Sequence, residues 1–366
     1  MVADESADDR PDYPCERRRE EADALPARHD QAAERPQYEP YDDGGEQSPQ
    51  SHADQREHDE QDQQHHEQGQ DHTPKVPPVA LPAVNVRFAA SLGTGAPDLG
   101  RLSTALVDAE RMGFDTVWFS DVPMMASTDP MLAVAVAAAT TDKVKVGANF
   151  VPFGHAPYVF ARQLAQLDAL TSGRLLVTLV PGLDQPGERQ ALGIGEAHRG
   201  HLLDELIPSL RRLWGGDGEV GLPVRPVQDP LEIWLGGSGQ QAVDRAGRLA
   251  DGWLGSLVSP DRAGAIREAI VHRASEAGRV IDPEHFGLSV AYARESGDLD
   301  RAVRLRTRPP VDLGEVVPVG RAALRDLVGR LVDAGLSKFV VRRVCPVESW
   351  TDELGWLADA LLDLQT

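Results

Sequence analysis

The chain has 366 residues, a formal net charge of −21 and two cysteines. So acidic a balance argues against nucleic acid and anionic membranes as main partners, because both are held by basic patches. Cys15 and Cys345 make neither a disulfide framework nor a zinc signature, so a reducing cytoplasm is expected and no metal site. The sequence opens without an apolar signal core and contains no run of about 18 apolar residues, so neither export nor a membrane span is expected.

The charge is uneven. Residues 1–80 hold 22 Asp and Glu against 8 Lys and Arg, and six of the eleven histidines. With almost no aliphatic side chains to bury, chain entropy should prevail there, and a disordered acidic tail rich in Gln, His and Pro is predicted. The pair His65-His66 could scavenge metal, but a solvated tail is the simpler reading.

From residue 84 short apolar runs alternate with longer helical patterns, and a folded domain over 84–366 is predicted. VNVRFAA (84–90) reads as a strand, followed by a helix with Leu99, Leu102, Leu106 and Ala109 on one face. FDTVWFSD (114–121) is the second strand, and DPMLAVAVAAATT a helix with Pro130 near its start. KVKVGANFV (143–151) is the third, followed by a helix presenting Phe160, Leu164, Leu167 and Leu170 inward. GRLLVTLVPG (173–182) is the fourth, and the long helix after it carries Leu203, Leu206, Ile207, Leu210 and Trp214. LEIWLGG (231–237), DGWLGSLV (251–258), HFGLSVAY (285–292) and SKFVVRRV (337–344) complete the strands, and an amphipathic helix closes the chain.

Eight βα units in about 280 residues match a (β/α)8 TIM barrel in count and length. The strands are continuous apolar runs, as expected for parallel strands covered on both faces. A doubly wound open sheet has the same period and is the competing architecture.

Within 236–242, GGSGQQA spells a G-x-G-x-x-A fingerprint. A dinucleotide fold would place it in the first βαβ unit, with an acid about twenty residues on. Here four units precede it, and Asp251 lies 12 residues after Gly239 and before the next strand. The fingerprint fails on context, but its physics survives: small residues at a helix start leave backbone N–H groups open to an anion. Gly236, Gly237, Ser238 and Gly239 are therefore candidates for a phosphate cradle, with a plain tight turn as the alternative.

The stretches GFDTVWFSD, KVGANFVPFGHAP, LDALTSGRLLVTLVPG and IWLGGSGQQAVDRAGRLADGWL, with DP and its small-residue helix between the first two, recur in an order and spacing that resembles the luciferase-like flavin-dependent oxidoreductases. The branch using the deazaflavin coenzyme F420 is the more similar. The resemblance spans about residues 84–366 and implies a (β/α)8 barrel that transfers hydride between F420 and a small organic substrate. It places an acid near the cofactor ring at Asp121, and a cofactor-cradling bulge at Asn149 and Phe150 with a non-proline cis peptide between them. A regular trans strand there would weigh against the deazaflavin. It further implies Gly182 beside the cofactor and the Gly236–Gly239 turn on its phosphate. Relatives acting on sugar phosphates carry a Glu near the position of Leu183; leucine moves no proton, so that substrate class is not expected.

His155, in the loop after the third strand, is the best candidate for a proton-transferring histidine alongside Asp121. His198 and His201 at the start of the long helix read more simply as exposed helix-end residues. Arg199 could reach a phosphate or carboxylate. Arg342 and Arg343 should point to opposite faces of the last strand. Trp118, Phe119, Trp234 and Trp253 read as core. Two rivals stand beside the F420 reading: an FMN-dependent monooxygenase using oxygen and a partner flavin reductase, and a ligand-binding barrel without turnover. The apolar helical stretch at 129–141 suits a homodimer.

Overall fold

A computed structural model describes residues 84–92, 98–125, 127–183, 185–216, 221–305 and 313–366, with no side-chain description for 301–305. The acidic tail at 1–80 lies outside the described residues. Eight parallel strands close into a barrel in sequence order: β1 (Arg87–Ser91), β2 (Thr116–Ser120), β3 (Lys145–Phe150), β4 (Leu175–Leu179), β5 (Ile233–Gly236), β6 (Gly252–Ser256), β7 (Phe286–Tyr292) and β8 (Lys338–Arg343). The pairing of β1 with β8 completes the ring, from Arg87 opposite Lys338 to Ala90 opposite Val341. All eight predicted strands form, and the open-sheet alternative is excluded by this closure.

Helices cover the outside: α1 (Leu99–Met112), α2 (Pro130–Thr140), α3 (Pro157–Leu170), α4 (Glu188–Ala191), α5 (Arg199–Gly215), α6 (Gln240–Leu249), α7 (Pro260–Glu276), α8 (Ser296–Leu305), α9 (Leu313–Val316), α10 (Gly320–Asp333) and α11 (Trp350–Leu361). Their starts follow capping chemistry. Asp98 accepts the Arg101 N–H, and Asp129 accepts those of Met131 and Leu132 ahead of Pro130 at the first helical position. The predicted stripe of α5 is buried throughout. Two predicted inward residues are corrected: Leu99 and Leu170 are exposed. Each is the terminal residue of its helix, Leu99 the first of α1 and Leu170 the last of α3.

The barrel interior is filled by Ala89, Trp118, Trp234, Leu254 and Val340, with Leu176 against them. Two indoles dominate that layer, and each requires a glycine on the next strand. Gly147 stands opposite Trp118, and Gly252 opposite Trp234. A Cβ on Gly252 would lie 2.5 Å from the Trp234 ring, and one on Gly147 would collide with Trp118. At the base, Lys338 Nζ meets Asp115 at 2.9 Å, with Lys145 and Arg87 3.8 and 3.9 Å from the same carboxylate. The C-terminal mouth is therefore the end left for a site, as on other barrels of this architecture.

Candidate active site at the barrel mouth

Strand alternation decides what faces the mouth. Trp118 and Leu176 point inward, so Ser120 and Thr178, two residues on, point inward as well. Asn149 stands in register between them and its Nδ2 donates to Ser120 Oγ at 3.1 Å. Asn149 Oδ1 and Thr178 Oγ1 are buried without a hydrogen-bond partner among the described residues. Such an atom costs about 1–3 kcal/mol, so each marks where a ligand or water would bond.

Asp121 follows β2 directly and ties β2 to β3. Its N–H donates to the Asn149 carbonyl at 2.9 Å and its Oδ2 accepts the Val151 N–H at 3.1 Å. Burial pushes the carboxyl up to about 6; the Val151 hydrogen bond opposes this, and the nearby carboxylates of Asp129 and Glu188 add to it. The residue can therefore hold or release a proton near neutral pH. His155 is exposed in the loop after β3, its ring 5.3 Å from that of Phe160. Phe150 is fully buried with its ring edge-on to Phe160 at 6.2 Å, so its side chain faces α3 and not the mouth.

The expected cis peptide between Asn149 and Phe150 is not found. That bond is trans, and the cis bond among the described residues is Asp229–Pro230. The reason is local: the Asn149 carbonyl accepts from Asp121 and the Phe150 carbonyl from Val180 at 3.0 Å, so hydrogen bonds to β2 and beyond β4 hold the segment as regular strand.

Beside the mouth runs a groove of about 530 Å³ between the ends of β4 and β5. Its lining includes Gly182, Arg199, Gly236, Gly237, Gly239 and Arg245. Three of the cradle glycines are thus brought together with Gly182, and Ser238 lies between them in the same turn. Gly237 adopts φ +105°, and a Cβ there would lie 2.9 Å from that of Ala242. Its carbonyl is held by the Trp253 indole N–H at 2.8 Å, so Trp253, read as core, also fixes the turn. Gly239 caps α6 with no side-chain hydrogen bond. The first N–H groups of α6 are therefore left to an anion.

Under Gly182 lies a residue that sequence reasoning missed. Glu188, only 1% exposed, accepts the N–H groups of Leu183 at 3.3 Å and Gln185 at 2.9 Å, and Arg199 Nη2 at 3.2 Å. Arg199 Nη1 donates to the Pro181 carbonyl at 2.5 Å. A Cβ on Gly182 would stand 2.5 Å from Glu188 Oε1 and 2.7 Å from Arg199 Nη1, and its φ of +80° independently favours glycine. No periodicity marks Glu188, because it opens a helix of only four residues inside a loop.

The remaining candidates fall into place away from the groove or at its rim. His198 lines the groove and is exposed, its ring 4.7 Å from that of His201. Arg343 points toward the helices, pairing with Glu353 at 2.8 Å and Asp298 at 3.0 Å. Arg342, next along β8, therefore faces the interior. Asp251, which failed as a ribose acid, accepts from Arg211, Arg279 and the Ile233 N–H. No helix among the described residues is long and apolar enough to cross a membrane.

Residues 81–305 match the luciferase-like monooxygenase family. Over 127 residues the chain is 35% identical to an FMNH(2)-dependent dimethylsulfone monooxygenase of Pseudomonas fluorescens (strain Pf0-1), covering 31% of this chain and 34% of that protein. Over 204 residues it is 27% identical to a 5,10-methylenetetrahydromethanopterin reductase of Methanolobus tindarius, covering 53% and 60%. The chain thus spans between a third and three fifths of the length of these relatives. The coenzyme F420 dependent tetrahydromethanopterin reductase of Methanopyrus kandleri shares the fold, with TM-score 0.64 at 17% identity over 77% of this chain and all of that one. The chain belongs to the luciferase-like monooxygenase family.

Proposed function

We propose that this member of the luciferase-like family is an oxidoreductase that holds the phosphate of a flavin-type cofactor on the Gly236–Gly239 turn, with coenzyme F420 as the first reading. The observation that carries it is the turn itself: a helix start without a side-chain cap, bordered by Arg199 and opening on a groove at the barrel mouth. The buried oxygens of Asn149 and Thr178 and the space kept clear at Gly182 and Gly237 fit a bound polar ring and its side chain. When bound, the cofactor supplies hydride transfer to or from a small organic substrate. The chain orients it through backbone N–H groups, and the Glu188–Arg199 pair holds the β4 loop against it. Asp121 holds the proton that balances the transfer, with His155 as a second donor from the neighbouring loop.

Two lines support F420: the five motifs in register, and the 204-residue match to a reductase and not an oxygenase. FMN is the second reading, and it has its own support. The trans Asn149–Phe150 peptide weighs against the deazaflavin, and the relative at 35% identity is FMNH(2)-dependent. Under that reading the barrel works as a monooxygenase fed by a flavin reductase. Titrating the purified chain with F420 and with FMN, and following coenzyme fluorescence, decides between them. F420 binding without FMN binding is expected; tight FMN binding alone would overturn the first choice.

A homodimer belongs to the same proposal. Leu132 and Leu170 are exposed on either side of an apolar groove between α2 and α3. Light scattering should give twice the chain mass, and Leu132→Glu with Leu170→Glu should halve it.

A further inference from the structure

Two loops meet at the mouth beside Asp121. The turn after β2 carries Met124 and Met125, 43% and 61% exposed, and the loop after β4 carries Leu183, 46% exposed. Their meeting point is Gly187, where a Cβ would lie 3.7 Å from Met124 Cε. Among the described residues, these three are the exposed large apolar side chains of the βα loops; the others sit on helices or in loops at the barrel base. Exposed turns ordinarily favour Gly, Pro, Asn, Asp and Ser, each for a backbone reason. Two methionines and a leucine need another explanation.

Both loops are held by hydrogen bonds. The Met125 N–H donates to the Val122 carbonyl at 2.9 Å, and the Ser127 N–H to that of Met125 at 2.9 Å. Glu188 fixes the opposite loop by accepting from Leu183 and Gln185. The backbone is thus set while the methionine side chains stay adaptable, a combination suited to apolar ligands of varied shape. Scale argues against a protein partner: a stable interface buries about 800 Å² on each side, far more than three side chains offer. Charge narrows the ligand further. Asp129 and Glu188 both repel the Asp121 carboxylate, and an anionic ligand beside it would meet the same repulsion.

We propose that Met124, Met125 and Leu183 form an apolar lip that seats the aliphatic body of an uncharged substrate, with its polar reacting end turned toward Asp121. This rests on the reading of the mouth as an oxidoreductase site and adds a substrate class to it. That class is neutral aliphatic compounds, medium-chain alcohols or ketones, in place of carboxylates and phosphate esters. The lip sets specificity; neither proton nor hydride passes through it.

The test uses the scarcity of methionine, five in the whole chain. Methyl-labelled methionine gives one NMR signal per residue, and Met124→Leu and Met125→Leu assign the pair. The full chain, alone and after addition of F420 or FMN, is titrated with 2-butanol, 2-hexanol, 2-octanol and octanoate at a pH where Asp121 is ionised. The Met124 and Met125 methyls should move while those of Met112 and Met131 stay. Affinity should rise about fourfold per added methylene, and octanoate should bind roughly tenfold more weakly than 2-octanol. Leu183→Gln should weaken 2-octanol roughly tenfold, and Leu183→Met should restore it. Silent methyls, affinity independent of chain length, or equal binding of octanoate would overturn the lip. Equal shifts at Met131, in the groove between α2 and α3, would mean unspecific apolar binding and overturn it as well. A chain that binds F420 or FMN while Met124 and Met125 stay silent overturns the lip alone. One that binds neither cofactor overturns the oxidoreductase reading, and the substrate role of the lip with it.

Discussion

At the base of the barrel Lys338 meets Asp115 at 2.9 Å, with Arg87 and Lys145 behind; at the mouth Asp121 accepts a backbone N–H and faces Asp129 and Glu188. Both carboxylates are raised by burial. Lys338, the Thr116 hydroxyl and Lys145 outweigh that at Asp115 and hold its carboxyl below the ordinary range. At Asp121 nothing outweighs it, and the carboxyl titrates near 6. The base uses charge to close the barrel, whereas the mouth keeps charge poised to change, and perturbed groups of the second kind mark functional sites.

Breaking the base should be the larger effect on stability. Lys338→Met leaves Asp115 buried without its closest cation and should cost about 3–5 kcal/mol in denaturant unfolding. The cofactor affinity of the protein that remains folded should not change. If affinity fell in step with stability, the two ends would not be separable as described.

At the mouth the order reverses. Gly237→Asp should weaken cofactor binding at least a hundredfold, about 2.7 kcal/mol, by placing a carboxylate and bulk among the N–H groups of the turn. Normal binding by that variant would remove the cradle. Glu188→Gln, which keeps the shape and loses the charge, should weaken binding about tenfold by loosening Arg199; fluorescence titration measures both.

The smallest effect sharpens the contrast most. The raised carboxyl of Asp121 binds protons more readily in the folded than in the unfolded chain. Stability on its account is greatest at acid pH and falls as pH rises from 3.8 through about 6. Asp115 has the opposite sign, losing stability as pH falls through its lowered value. Asp121→Asn should flatten the fall over the upper window by about 1 kcal/mol, given its partial exposure, and should remove an activity limb near pH 6. If His155→Ala removes that limb and Asp121→Asn leaves it, the proton belongs to His155.

The strands were readable because a parallel barrel strand is covered on both faces and so appears as an unbroken apolar run, as in TVWFS and LLVTL. The cradle was readable because only small residues permit a close backbone approach. What escaped has other causes. Leu99 and Leu170 follow helical periodicity but are the terminal residues of α1 and α3, and both are exposed. Glu188 and Arg199 are 11 residues apart and meet only because the loop folds back under Gly182. The cis peptide at Asn149 came from resemblance and not from any property of these residues, and the hydrogen bonds of Asp121 and Val180 hold that segment trans.

The bond from the Trp253 indole to the Gly237 carbonyl has a practical side. Indole emission responds to hydrogen bonding and to neighbouring acceptors, so the chain carries its own optical reporter one strand away from the cradle. Subtracting the spectrum of Trp253→Phe from that of the parent isolates this signal from those of the other five tryptophans. Occupancy of the turn then becomes readable for ligands that neither absorb nor fluoresce, simple phosphates among them.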